Sequence, residues 1–362
     1  MWLIFVGMAF ALLLLSACGK QPSPMCALEG ESSAAGSGVR QSEIAFFVEK
    51  HGRPELWAID SRGDNQRFLA DSVDDGARAE WSPDGAHLIF VGWSGDDREL
   101  FSVRSDGTNL TRLTYNDGED SVPVWSPEGE RIAFFSLRGD DGGLYLMNSD
   151  GSGQRKVGDQ VANEFPFGWW ADGEHILLQS YRYDERGARF ELEVLSSSGS
   201  DRLHQTTPRP QVGGLVSFAP EACRIAFVDI SLKDDPVGND VLSYDLWTLD
   251  LIQGEARRLT DNAGDVRHVA ISPDGLKVAF TLQEENPRGR LESHLYVINS
   301  DGSGLLLLKE TAHSPSWSAD GRIAFVDDSD GWWDIFVTNS DGTGTRRLTD
   351  SPEVESNPVW AP

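Results

Sequence analysis

The sequence predicts an all-β protein, a seven-bladed β-propeller of four-stranded antiparallel blades. Three observations predict it: a turn motif recurring at blade-sized intervals, an apolar run after each copy, and a single strand left over at the chain end. The motif is Trp81-Ser82-Pro83-Asp84-Gly85. It returns as Trp125-Ser126-Pro127-Glu128-Gly129 and, more loosely, as Trp169-Trp170-Ala171-Asp172-Gly173. Further copies start at Phe218, Ile271 and Trp317, with a truncated one at Trp360; the lead residues are 44, 44, 49, 53, 46 and 43 positions apart. Self-similarity at that period marks a repeat architecture, and its length suits four strands per blade.

The motif has a local physical meaning. A large apolar residue ends one strand; proline presets φ for the turn, aspartate bonds its own backbone, and glycine accepts φ > 0. The runs that follow are almost wholly apolar, for example Leu88-Ile89-Phe90-Val91, Ile132-Ala133-Phe134-Phe135 and Ile323-Ala324-Phe325-Val326. Unbroken runs of this length predict strands covered on both faces, as a sheet held between two like sheets would be.

Each repeat divides into strands A to D. In the third blade these fall at 122–125, 131–135, 144–147 and 154–157, with Asn148-Ser149-Asp150-Gly151-Ser152-Gly153 between C and D. Asp-Gly is a hairpin signal. The hexamer also suggests half of a calcium loop, but the remaining positions and terminal glutamate are missing, so turn chemistry is preferred. Strand D ends in Arg-Leu-Thr at 112–114, 258–260 and 347–349. The first repeat begins at strand B (Ile44), and the chain closes with a lone strand A, 357–360. That C-terminal strand A, joined to the N-terminal strands B, C and D, completes blade 1 and closes the ring, which removes exposed sheet edges.

Charge and leader bound the setting. The 362 residues carry a net charge of −27, which excludes nucleic-acid backbones and anionic lipid surfaces as partners because both repel it. Residues 1–18 read as a signal peptide: 2–15 are apolar and too few for a membrane span. The ending Leu15-Ser16-Ala17-Cys18 looks like a bacterial lipobox, which implies lipidation at Cys18, although no Lys or Arg precedes the apolar core. Plain secretion is the alternative; Gly19 after the cysteine resembles sequences sent to the outer membrane. Residues 19–42, rich in Gly, Ser, Ala and Pro, form a flexible tether, and 43–362 the propeller. Cys26 falls in the tether and Cys223 opens a strand, so no structural disulfide between them is expected, and no cysteine spacing suggests zinc.

Function is expected on the face bearing the B–C and D–A loops, because the other face carries only stereotyped turns. The longest of these loops are expected at 180–189, 229–243 and 282–293. Acidic D–A connections are expected to ring the channel mouth, with Asp120, Glu164, Asp265 and Glu355 among them. The B–C loops offer Trp93, Tyr181, Tyr183, Trp332 and Trp333 as anchors for a protein or basic peptide partner. Three or four positions before each lead residue, strand A supplies Arg78, Arg267, His268, His313 and Asn357 to the channel. His268 and His313 could belong to a metal or sugar-acid site, but a metal enzyme wants three or more ligands. No cofactor is required, though the channel leaves room for calcium or another divalent ion.

The pattern P-x-W-S-P-D-G, I-A-F, L-Y-x-x-N-x-D-G-S-G and R-L-T resembles the TolB-type, WD40-like propeller repeat over residues 44–362. TolB itself carries an α/β domain before its propeller; here only the tether precedes strand B. Tricorn-type and prolyl-peptidase propellers are similar but come with a hydrolase domain for which this sequence has no spare length. The resemblance implies a monomeric, non-catalytic binding scaffold, exported and held at the outer membrane or periplasmic face by its lipid, touching the membrane only there. The alternative from another class is a metal-dependent carbohydrate enzyme, since oligogalacturonate-lyase-type enzymes look like this fold. No G-x-S-x-G, H-E-x-x-H or glycine-rich phosphate loop supports an enzyme.

Overall fold

The computed structural model describes residues 42–362, apart from 75–78, 140–141, 158–163, 185–186, 206–211, 235–239, 262–263, 287–288, 290 and 330. The leader, Cys18, residues 19–41 of the tether and Arg78 therefore lie outside the described residues.

Seven four-stranded antiparallel sheets form the ring. Blade 1 is β28 (Val354–Trp360), β1 (Glu43–Lys50), β2 (Arg53–Asp60) and β3 (Arg67–Ala70), so the C-terminal strand closes the N-terminal sheet as the repeats predict. Blade 2 holds β4 (Glu80–Trp81), β5 (His87–Ser94), β6 (Asp97–Arg104) and β7 (Thr111–Arg112). Blade 3 holds β8 (Asp120–Trp125), β9 (Arg131–Ser136), β10 (Gly143–Asn148) and β11 (Arg155–Lys156). Blade 4 runs β12 (Glu164–Trp169), β13 (His175–Asp184), β14 (Gly187–Ser196), β15 (Arg202–Gln205). Blade 5 runs β16 (Val212–Ala219), β17 (Arg224–Asp234), β18 (Asp240–Asp250), β19 (Glu255–Arg258). Blade 6 comprises β20 (Asp265–Ile271), β21 (Lys277–Glu285), β22 (Leu291–Asn299) and β23 (Leu306–Lys309). Blade 7 comprises β24 (Ala312–Trp317), β25 (Arg322–Asp327), β26 (Asp334–Asn339) and β27 (Arg346–Arg347).

The apolar runs are explained by where alternate side chains go. In β1, Ala45 and Phe47 pack with Trp81, Leu88 and Phe90 of blade 2. Ile44, Phe46 and Val48 pack with Ala324, Val326 and Ile335 of blade 7. Both faces of one strand enter different inter-blade cores, so no polar alternation survives.

The lead residues tie neighbouring blades in two ways. Either the indole N–H donates to the backbone carbonyl one position before the previous blade's lead, or a side chain there accepts the next lead's backbone N–H. Trp81 donates to Val359 O (3.1 Å), Trp169 to Val124 O (3.2 Å) and Trp317 to Ala270 O (2.9 Å). Glu80 accepts from Trp125 N (2.9 Å), Ser217 from Ile271 N (3.1 Å) and Ser316 from Trp360 N (3.3 Å). At the remaining junction Phe218 packs so closely on Gly168 that a Cβ there would lie 2.7 Å from its ring.

The turns follow their expected chemistry. Ser82 Oγ donates to Asp84 (2.6 Å) and accepts from His87 N (2.9 Å), with Gly85 at φ 65°. In the Asp-Gly hexamers the aspartate closes its own loop: Asp301 accepts from Ser303 N (2.9 Å) and Oγ (2.6 Å). Those bonds hold the Asp301 carboxyl below its usual pKa, Ser303 Oγ contributing most. The Arg-Leu-Thr ending is a clamp on strand C. Arg112 meets the buried Glu99 (2.6 Å) while Thr114 Oγ accepts from Leu100 N (2.9 Å). Arg258 with Asp245 (2.8 Å) and Thr260 with Leu246 N (2.8 Å) repeat it.

Two expectations are corrected. The segments 180–189, 229–243 and 282–293 are not mainly loops: β13/β14, β17/β18 and β21/β22 continue their ladders through them, to Asp184↔Gly187, Asp234↔Asp240 and Glu285↔Leu291. Runs such as Tyr181-Arg182-Tyr183 favour strand and hold no turn residues until the tip. Cys223, for which no disulfide was expected, is disulfide-bonded, and the other two cysteines of the chain lie outside the described residues.

Candidate functional site

The mouth on the B–C/D–A face is lopsided. Strands of nine to eleven residues in the hairpins of blades 4, 5 and 6 project as a wall, against six in β9, β10, β25 and β26. The opposite arc falls to eight residues in β1, β2, β5 and β6 and to six in blades 3 and 7, and carries exposed apolar side chains. Trp332, Trp333 and Trp93 are 49, 39 and 40% exposed, joined by Val354, Tyr115 and Leu137. Arg98 lies over Trp93 (5.1 Å) and Arg112 over Tyr115 (4.6 Å), which fixes both rings. Trp332 and Trp333 thus stand where the sequence put them. Tyr181 and Tyr183 belong to β13, and Trp93 to β5, rather than to loops.

The acidic ring is corrected most. Asp120, Glu164 and Glu355 are buried, not solvated. Asp120 binds Arg138 (2.9 Å) and Asn116 (2.6 Å); Glu164 binds Arg202 (2.6 Å), which also holds the buried Glu193. Glu355 takes hydroxyl hydrogen bonds from Thr349 and Ser351. Asp265 is part-exposed and pairs with Arg267. A buried carboxylate must be neutralised or hydrogen-bonded, so these acids tie strands together.

The channel behind the mouth has a volume of about 730 Å³ and is walled by the inner strands of all seven blades. Six blades carry a β-bulge in the pairing of strand A with B. In three of them the residue before a proline sits at positive φ: Val122 (51°), Ser314 (53°) and Asn357 (49°). Such backbone is strained for a non-glycine residue, and the bulge re-aims the side chain. The consequence is a one-residue rule. Residues three before the lead (Val122, His268, Ser314, Asn357) line the channel while Arg267 and His313, four before it, do not; blade 4 is the exception, where Phe165 lines it beside Pro166.

His268, Ser314 and Asn357 form the polar arc of that lining. Ser314 Oγ lies 3.4 Å from His268 Nε2 and 3.5 Å from Asn357 Oδ1, and Thr281 Oγ is 2.8 Å from His268 Nδ1. His313 sits behind, its Nδ1 3.0 Å from Ser314 Oγ and its ring edge-on to Trp333 at 4.8 Å. Burial pushes the His313 pKa down to about 4, the charge of Asp327 opposing weakly. Its folded pKa lies below the ordinary 6.5, so stability is full above that value and falls as pH drops toward 4. In an NMR titration, the His313 ring is expected to remain neutral to well below pH 6. Among the described residues no three His, Cys, Asp or Glu side chains gather as metal ligands.

Sequence reasoning missed Ser314 and Val122. The available signal was the x-Pro-x-Trp tetrapeptide at 122–125, 314–317 and 357–360.

Comparison with known proteins places this geometry. The family described as TolB beta propeller domain matches residues 39–241, and Lipoprotein LpqB beta-propeller domain matches 250–361. The Tol-Pal system protein TolB of Anaeromyxobacter dehalogenans is 36% identical over 119 residues, 33% of this chain and only 27% of that relative's length. The crystal structure of TolB from Acinetobacter baumannii superposes with a TM-score of 0.52 at 15% identity, covering 89% of this chain and 67% of that one. An oligogalacturonate lyase from Vibrio parahaemolyticus gives 0.63 at 11% identity, covering 81% and 85%. At such identities the structural matches speak for the fold alone.

Proposed function

The chain belongs to the TolB beta propeller domain family, and from that premise we propose that it is a non-catalytic binding scaffold of the cell envelope. It holds a protein or peptide partner against the low arc of its mouth. The observation that carries this reading is the exposed arc of Trp332, Trp333, Trp93 and Tyr115 facing the hairpin wall. Exposed aromatics clustered on loops of a rigid frame are the side chains from which interfaces are built.

Envelope location rests on the lipobox-like leader and on the match to a lipoprotein propeller domain over residues 250–361. The lyase reading loses its main support, because only one of its two histidines reaches the channel. The test is capture from envelope extract on immobilised protein, followed by titration of the captured partner. Trp332→Ala with Trp333→Ala is expected to weaken binding about thirtyfold, the range of an interface hot spot. Leu276→Ser, on the opposite face, should leave it unchanged. If the double tryptophan variant captures every partner with undiminished affinity, the mouth is not the docking surface.

A further inference from the structure

The inner strands of blades 3, 4, 6 and 1 each open near a carboxylate, and three of the four meet a guanidinium. Asp120 has Arg138, Glu164 has Arg202 and Asp265 has Arg267. Glu355 on the ring-closing strand β28 has, among the described residues, no guanidinium: its partners are the hydroxyls of Thr349 and, at 3.0 Å, Ser351, with the backbone N–H of Ile335. Arg347, in β27 at the outer edge of blade 7, is already committed to the buried Asp334 and to Asp350 (2.8 Å).

Counting protons shows why that matters. Thr349 Oγ stands between two buried carboxyls, bonded to Glu355 and 3.5 Å from Asp334 Oδ1, and it accepts from Ile335 N (2.8 Å). One hydroxyl hydrogen cannot serve both acids, and one guanidinium cannot neutralise both. With Arg347 already shared between Asp334 and Asp350, a protonated Glu355 adds no further negative charge to the cluster. Burial, with the Asp334 charge behind it, raises the Glu355 pKa to about 7 against the pull of Thr349 and Ser351. The other groups around it are few. His313 in β24 is held neutral by burial, β1 presents Val48 opposite, and Glu49 pairs with Val354 one step away.

We propose that Glu355 is a proton-operated latch on the closing blade: neutral, it seals the start of β28 against blade 7; ionised, it frees residues 354–357 and the Trp333 backbone they hold. The coupling is direct. Glu355 N donates to Trp333 O (3.0 Å), Trp333 abuts His313, and Ser314 and Asn357 face the channel. A single proton therefore connects ring closure, an exposed aromatic of the mouth and the channel lining. The latch stands whether or not a partner docks there.

The sign follows from linkage. The folded state keeps the Glu355 proton between the ordinary carboxyl range and about pH 7, where the opened segment does not. Closure is therefore strongest below that window, weakens as pH rises through it, and is constant above. Hydrogen exchange of the full chain, corrected for intrinsic rates, tests this between pH 5 and 8. The peptide covering 349–357 is expected to open up to about tenfold more per pH unit until neutrality, then level off. The β8 peptide, whose Asp120 is arginine-paired, serves as reference and should stay flat. Glu355→Gln should make 349–357 flat and protected throughout. A Glu355→Gln protein that keeps the wild-type pH profile overturns the latch. So does a wild-type ratio of the two peptides that is constant from pH 5 to 8, a result that decides the matter even if the variant does not fold.

Discussion

Replacing Trp360 by alanine is expected to remove about 3–5 kcal/mol of stability, the range for a buried tryptophan lost from a core. Trp360 is the last lead residue and sits in the blade that closes the ring. It pairs with Ile44 across β28 and β1, packs with Phe46, Ile59 and Val326, and lies under Arg322 at 4.9 Å. Its backbone N–H is also the tie to Ser316 of blade 7. The alanine removes packing on the blade 7 side and leaves a cavity where the chain ends are joined. Trp360→Phe should recover most of the loss. Equilibrium denaturation followed by circular dichroism measures both, and a loss below about 1 kcal/mol for the alanine would mean that closure does not depend on this side chain.

Arg202→Met should cost a similar amount, about 3–5 kcal/mol at neutral pH, by a different mechanism. Arg202 serves both Glu164 of β12 and Glu193 of β14, and both carboxyls are buried. Removing it takes away the guanidinium that the two carboxyls share. The buried negative charge they carry then opposes folding. The deficit is full at neutral pH and shrinks as pH falls and the acids take up protons. Denaturation at pH 7.5 and pH 5 separates the two states. An equal deficit at both values would show that Arg202 contributes packing rather than charge.

The frame was legible because the repeat residues are themselves the inter-blade contacts. Trp81, Trp169 and Trp317 recur in sequence since each reaches the carbonyl of the preceding blade. The apolar runs recur since both faces of strand B are covered. The strand 357–360 was readable for the same reason, as one more copy of the inner-strand motif, and it pairs with β1.

The site was legible only in part, and the failures have physical causes. Carboxylates at 120 and 164 are visible in the sequence, but nothing local shows that their partners stand at 138 and 202, in other strands of the same blade. An acid read without its arginine looks like solvated surface. The choice between Ser314 and His313 turns on a bulge that displaces register by one, and a bulge leaves little trace beyond the proline that follows it. The hairpin wall failed for the opposite reason. Departure from the repeat length reads in sequence as irregularity, whereas those residues prolong regular pairing.

The way blade 1 is assembled also decides how the molecule bears load. Strand β1 lies between β2 and β28, with partners from Glu43 to Lys50 on one side and from Ile44 to Glu49 on the other. A pull applied to the chain ahead of Ser42 runs along β1, parallel to both seams. The bonds on either side must then rupture together in shear rather than one at a time, so a disc hung from its leading segment is suspended by its most resistant direction.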